Sequence, residues 1–223
     1  MIIWLASYPK SGNTWVRAFI SAYYYSIDGK FDFSLLSKIK QFPDVEFFDN
    51  KIESINEAST QWMDVQRKIN KNKKIRIFKT HSCLGHYKGR PFTTSETTLG
   101  GIYIVRDPRN IFTSIKNHFS MNDNEAMDMI TDKKRGLISD QGIYSSYAFI
   151  SSWSNHYLSW MENNQFRRLL VKYEDLLSNN YETFRDIIVF TNTLLNRKWK
   201  IKGRVIKGRQ LGRKIGFPTC NLQ

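Results

Sequence analysis

Cysteine, acidic residues and long apolar runs are what this 223-residue chain has least of. Two cysteines, Cys83 and Cys220, cannot form a disulfide framework, so a reducing, cytoplasmic setting is expected. No apolar run reaches the roughly 18 residues needed to span a bilayer. The apolar start, Ile2 to Leu5, is short, lacks a cationic leader and soon meets Lys10 and Arg17, so a signal peptide is not expected. Only 20 acidic residues stand against 34 basic ones, a formal charge of +14 that favours anionic partners. Nine of those bases and no acid lie in residues 196–223, leaving 25 against 20 in residues 1–195. The body is therefore only mildly basic, and specific nucleic-acid binding is not expected of it. Glycine is absent before Gly12, which excludes a nucleoside-triphosphate loop: G-x-x-x-x-G-K-[ST] needs an earlier glycine, and its lysine follows the last glycine whereas Lys10 precedes it.

What is present is organised around the first seventeen residues. Ile2 to Leu5 reads as a buried strand, Ser7-Tyr8-Pro9-Lys10-Ser11-Gly12 as a tight loop, and Trp15, Val16, Phe19 and Ile20 as the apolar face of a helix from Thr14 to Tyr25. A glycine that lets the backbone approach a ligand, helix-start N–H groups, and the positive end of the helix dipole together form an anion site. Lys10 adds a full charge, and Ser11 and Thr14 add hydroxyls suited to phosphate or sulfate. Three further strands follow: Lys74 to Thr80, ending in Lys79-Thr80-His81; Gly101 to Arg106, running into Asp107-Pro108-Arg109 and a helix to Phe119; and Arg168 to Tyr173, followed by Glu174-Asp175-Leu176. Helices are expected at Tyr144–Asn163 and Tyr181–Leu195, with weaker helical patches at Phe33–Ile39 and Ile55–Ile69. The polar stretch 120–143 reads as a loop or lid. Alternating strands and helices predict an α/β fold, three-layered, with a mainly parallel sheet and helices on both faces. Ligands of such sheets sit beyond the C-terminal strand ends, where Lys10, His81 and Arg106 all fall.

Tyr8-Pro9-Lys10-Ser11-Gly12-Asn13-Thr14-Trp15 resembles the 5′-phosphosulfate loop of the cytosolic-type sulfotransferases, Y-P-K-S-G-T-T-W, with Asn13 for the usual threonine. The resemblance extends over residues 1–192. It implies that Lys10, Ser11, Gly12, Asn13, Thr14 and Trp15 bind the donor 3′-phosphoadenosine 5′-phosphosulfate, that Arg106 and Ser114 hold its 3′-phosphate, and that Tyr173 contacts the adenine, with Trp15 on its other side. It also implies that His81 is the general base, with Lys79 and Lys10 beside the transferring group, and that no metal is needed because lysines and amides supply the positive charge. A histidine suits that role because its ordinary pKa lies near neutrality. His86, His118 and His156 read as structural, although Ser152 to Trp160 looks like the W-x-x-H-x-x-x-W helix of bacterial sulfotransferases. The acceptor, a small molecule or a saccharide, would sit against stretches 26–72 and 120–143.

The end of the chain departs from that family. Its R-K-G-x-x-G loop over the 3′-phosphate is expected here, whereas Trp199 to Leu222 ends in Gly216-Phe217-Pro218-Thr219-Cys220-Asn221, similar to the G-F-P-T-A-N motif that opens riboflavin kinase. That resemblance would place Thr219 and Asn221 at nucleotide phosphates and magnesium, but it covers only the first hairpin of a barrel, which cannot bury a core. The expected organisation is a sulfotransferase-like body, 1–195, and a basic tail, 196–223, that is not an independent domain. Three readings stand: sulfuryl transfer to a hydroxyl or amine; riboflavin kinase activity read from the tail alone; and a non-catalytic protein that binds adenosine 3′,5′-bisphosphate, or anionic polymers through the tail.

Overall fold

The computed structural model describes residues 1–139 and 146–196. Most of the expected tail, and with it the K-G pairs and the G-F-P-T motif, lies outside them. In chain order the elements are β1 (Ile2–Ser7), α1 (Asn13–Tyr25), two 3-10 turns (Phe33–Lys38 and Val45–Phe47), α2 (Ile55–Asn70), β2 (Arg76–Thr80), β3 (His86–Tyr87), β4 (Arg90–Pro91) and β5 (Thr98–Val105). Then come α3 (Pro108–Phe119), α4 (Asp123–Thr131), β6 (Gly136–Ser139), β7 (Ser146–Phe149), α5 (Trp153–Glu162), β8 (Arg167–Lys172), α6 (Tyr173–Ser178) and α7 (Asn180–Leu194).

The main sheet has the order β2-β1-β5-β8, every neighbouring pair parallel. All six residues of β1 are buried, which is why its sequence is a continuous apolar run rather than an alternating one. Alternate side chains feed two different cores. Ile2, Trp4 and Ala6 join Phe42, Trp62, Phe78, Phe92, Tyr103 and Trp160 in an aromatic layer supplied by α2 and α5. Ile3 and Leu5 join Val16, Phe19, Ile20, Ile77, Ile102, Ile104 and Ile187 in a mainly aliphatic layer supplied by α1 and α7. At β5 the covering helices come so close that a Cβ on Gly100 would lie 2.5 Å from Leu194, and one on Gly101 3.0 Å from Trp160. Trp4 is fully buried and donates its indole N–H to Thr98 Oγ1 at 2.8 Å, so truncating it would cost about 3–5 kcal/mol through the cavity left behind. Among the described residues no helix is long and apolar enough to cross a membrane.

Two expectations are corrected here. The stretch read as a loop or lid contains α4, started by a capping box in which Asn122 and Glu125 bond each other's backbone N–H groups, with Ala126 and Met129 buried. It also contains β6, which pairs antiparallel with β7. The helix expected over 144–163 is instead strand β7 followed by α5. Ser151, at φ 58°, breaks the chain between them, and Ser152 caps α5 by accepting from the Asn155 N–H. Tyr147, Ile150 and Trp153 share helical spacing only by coincidence: Tyr147 joins the aromatic layer, whereas Ile150 and Trp153 pack in a third cluster with Tyr8, Ile111 and Met129. The patch at Ile55–Ile69, by contrast, is a complete helix, with Ser54 accepting from the Glu57 N–H.

Candidate active site

At the end of β1 the chain leaves the sheet at Ser7 and winds back into α1. The winding needs left-handed backbone at Lys10, φ 66°, and at Gly12, φ 92°. Only glycine fits the second place, since a Cβ there would lie 2.6 Å from the Tyr173 ring. Gly12 is the N-cap of α1, and no side chain caps that end. The first N–H groups of the helix and the positive end of its dipole thus face the hollow of the loop. Ser11 is 1% exposed, and its Oγ has no hydrogen-bond partner among the described residues. Asn13 turns the other way, donating its side-chain amide to Leu5 O and Ser7 Oγ at 3.1 Å each. Its amide braces the loop from beneath and does not line the mouth.

Beside β1, the end of β2 brings Lys79 and His81. His81 Nδ1 lies 2.8 Å from Ser7 O and 3.3 Å from Ser7 Oγ. A carbonyl oxygen only accepts, so Nδ1 carries the proton and, in the neutral ring, Nε2 keeps its lone pair. Burial first and the Lys79 charge second hold the His81 pKa well below its ordinary value, so the neutral form prevails at pH 7. Lys79 Nζ donates to Gln41 Oε1 at 2.6 Å, across a bridge in which Gln41 and Lys79 also pair by backbone. Burial, and then the neighbouring Arg17 charge, bring Lys79 down to about 8. Arg17 donates to Leu36 O at 2.7 Å, and its Nε has no partner among the described residues.

On the other side of β1, the ends of β5 and β8 supply Arg106 and Tyr173. Arg106 Nη1 donates to Lys10 O at 2.9 Å, its guanidinium sits 4.3 Å over the Tyr173 ring, and its Nε is buried without a partner among the described residues. Asp107 pairs with Arg109 rather than with Arg106, and caps α3 by accepting from the Arg109 N–H at 2.9 Å. Those bonds take the Asp107 carboxyl down to about 2. Trp15 meets Tyr173 edge to face at 6.3 Å and Phe184 at 5.8 Å, so Trp15 and Tyr173 touch each other and frame no parallel slot. The Lys10 charge is felt at His118 in the last turn of α3, where it adds to burial in lowering the imidazole pKa. Ser114 lies one turn before His118 on α3.

His81, Arg106 and Tyr173 all lie against the loop between β1 and α1, with Lys79 beside His81 at the end of β2, and two hydrogen bonds tie the flanks together: His81 to Ser7 and Arg106 to Lys10. Cations and amides outnumber carboxylates, so the hollow suits an anion carrying several phosphate or sulfate oxygens. The unpartnered Ser11 Oγ and Arg106 Nε are donors of the kind such oxygens would satisfy. Among the described residues no cluster of His, Cys, Asp and Glu could hold a metal ion. Ser7, Arg17, Gln41 and His156 escaped the sequence reading as site residues. Ser7 and Arg17 lie inside or beside the loop motif, but nothing local signals that a serine carbonyl holds a base 74 residues away.

Comparison with known proteins bears on the family and the fold. The family model described as Sulfotransferase domain matches residues 2–203, and the one described as Riboflavin kinase matches residues 195–223. No curated protein matches the chain. Among solved structures, mouse sulfotransferase SULT7A1 complexed with PAP superposes with a TM-score of 0.55 at 20% identity, over 96% of this chain and 62% of that one. At that identity the likeness is one of fold, and this chain spans less than two thirds of that protein's length. A four-stranded parallel sheet, an uncapped helix start after β1, and a family match over residues 2–203 converge on one conclusion: the chain belongs to the sulfotransferase domain family.

Proposed function

We propose that the protein binds 3′-phosphoadenosine 5′-phosphosulfate and moves its sulfuryl group to a hydroxyl or amine of a small-molecule or saccharide acceptor. The observation that carries this reading is the pair of bonds that fasten a neutral His81 and a stacked Arg106 to one anion-binding loop. The donor supplies an activated S–O bond; the chain supplies everything else. His81 Nε2 takes the acceptor proton as the new S–O bond, or S–N bond for an amine, forms and the bridging S–O bond to phosphate breaks. Lys10, Lys79 and the first amides of α1 stabilise charge on the transferring group and on the departing phosphate. Arg106, with Ser114, serves the 3′-phosphate: its planar fork suits that oxygen set, and its stack on Tyr173 fixes the plane. Ser11, Gly12, Asn13 and Thr14 contribute through the loop, Asn13 by its backbone N–H, since its side chain is engaged below. Tyr173 and Trp15 offer apolar ring surface to the adenine.

The test is transfer of labelled sulfate from that donor to a panel of phenols, amines and saccharides, with Lys10→Ala beside the wild type. Transfer that falls at least tenfold in the variant supports the reading. Unchanged turnover removes Lys10 from the mechanism, and tight binding of adenosine 3′,5′-bisphosphate with no transfer to any acceptor favours a nucleotide-binding protein instead. The kinase match at 195–223 predicts a different product, so flavin phosphorylation with ATP and magnesium is run in parallel, and none is expected from an opening segment alone.

A further inference from the structure

We propose that His156, oriented by Tyr103, is the positioning residue of the base: it holds His81 where its free nitrogen can act. The inference rests on the sulfotransferase reading above, which gives His81 its task, but it is drawn from a different part of the molecule. His156 lies on α5, is fully buried, and reads from sequence as core packing. Its ring is stacked on Tyr103, centroids 5.6 Å apart, and meets the edge of Tyr8 at 5.4 Å. Its Nε2 lies 3.1 Å from His81 O, and its Nδ1 lies 2.9 Å from the Tyr103 hydroxyl.

These contacts determine the protons. The His81 carbonyl only accepts, so His156 Nε2 carries a hydrogen. Burial holds the His156 pKa at about 4, so the ring is neutral at pH 7 and Nδ1 must accept from the Tyr103 hydroxyl. The Tyr103 hydroxyl thereby satisfies the free nitrogen of the one tautomer that can donate to His81 and holds the ring in plane, as an outer partner orients a ligating imidazole in metal sites. The hold does not act alone. Ser159 and Trp160, three and four residues on and so on the same face of α5, bond the Leu84 N–H at 3.0 Å and Ser82 O at 3.1 Å. The segment that follows β2 is thus pinned at three points by one helix, and His156 takes the point on the base itself. The Ser7 carbonyl then orients the imidazole from the opposite side. A base must lie within hydrogen-bond reach of the proton it removes, and a displacement of the order of 1 Å can cost about 10²-fold in rate.

The experiment compares the full chain with His156→Gln, His156→Leu and Tyr103→Phe, measuring kcat, acceptor KM and the affinity for adenosine 3′,5′-bisphosphate. His156→Leu is expected to lose about 10- to 100-fold in kcat, with KM and nucleotide affinity within about twofold. His156→Gln, whose amide N–H falls near the place of Nε2, is expected to recover most of that loss. Tyr103→Phe, which keeps the packing, is expected to lose a few-fold. Equal defects in the Gln and Leu variants, or parallel losses in kcat and nucleotide affinity, overturn the proposal by making the role mere packing. If His156→Leu fails to fold, Tyr103→Phe decides: unchanged kcat overturns the proposal. Imidazole nitrogen NMR adds an arm that needs no turnover. His156 is expected as the Nε2–H tautomer in the wild type, and finding the Nδ1–H tautomer there overturns the proposal. A wild type that binds nucleotide but transfers no sulfate refutes the catalytic reading, and the NMR arm still separates the two.

Discussion

The two flanks of the loop treat positive charge in opposite ways. On the β2 side, Lys79 and His81 are desolvated, with a neutral amide and a main-chain carbonyl as partners and pKa values pulled down. On the β5 and β8 side, Arg106 bonds a main-chain carbonyl and stacks on Tyr173, and arginine remains charged whatever its surroundings. The first flank keeps groups whose proton can move. The second keeps one whose proton cannot. Chemistry and grip are therefore separated by the width of β1, and substitutions on the two flanks should fail differently.

The largest expected effect is His81→Ala. Turnover should fall about 10²- to 10⁴-fold while adenosine 3′,5′-bisphosphate binds within about threefold of the wild type. Steady-state kinetics and calorimetry check this, and comparable losses in both would erase the distinction between the flanks. Arg106→Ala should do the reverse, weakening nucleotide affinity about 10- to 100-fold, as expected for lost charge-assisted bonds, with kcat at saturating donor little changed. Arg106→Lys should rescue little, since it lacks both fork and stacking plane.

The pH profile sharpens the contrast further. His81 must be neutral, and its lowered pKa keeps it so, so kcat/KM should hold up below pH 6.5, the ordinary histidine value. Lys79 must be charged, so kcat/KM should fall as pH rises through about 8, by about tenfold per further unit. Lys79→Arg should remove that alkaline limb; a limb that stays would assign it to another group. The linked effect on folding has a definite sign. Between about 8 and the ordinary value of 10.5 the unfolded chain keeps a proton on Lys79 that the folded chain has released, so this group's contribution to stability grows with pH. Next in size, Gly12→Ala should cost about 1–2 kcal/mol in stability, read by denaturant unfolding, because it forces a Cβ into left-handed backbone. The contact at 2.6 Å with Tyr173 should also disturb both flanks, so nucleotide affinity should fall as well. The smallest effect expected is that of Gln41→Ala. Losing one hydrogen bond to Lys79, worth about 1 kcal/mol, should lower kcat about fivefold and leave the Arg106 flank unaffected.

How much of this was legible follows from how local each signal is. The loop from Ser7 to Trp15 could be read directly, because strand, turn and helix start are contiguous and a lysine beside a glycine leaves few alternatives. Arg106 and Tyr173 were legible through the sulfotransferase resemblance of the segments that carry them, each at the end of an expected strand. Gln41 was not: its contact with Lys79 joins an irregular stretch to a strand 38 residues on. α4 was hidden because its apolar face is short, although the Asn122 and Glu125 capping pair announces its start. His156 looked like core, which it is; the hydrogen bonds of its two ring nitrogens give it a second role.

From residue order alone came the parallel α/β architecture, the anion-binding loop and the identities of the charged groups around it, since periodicity, glycine placement and strand-end position are local properties of the chain. Tertiary structure alone decided which protons are where. The tautomers of His81 and His156, the desolvated state of Lys79 and the stack of Arg106 on Tyr173 depend on partners brought from distant segments and on the exclusion of water, and neither is encoded in any short stretch.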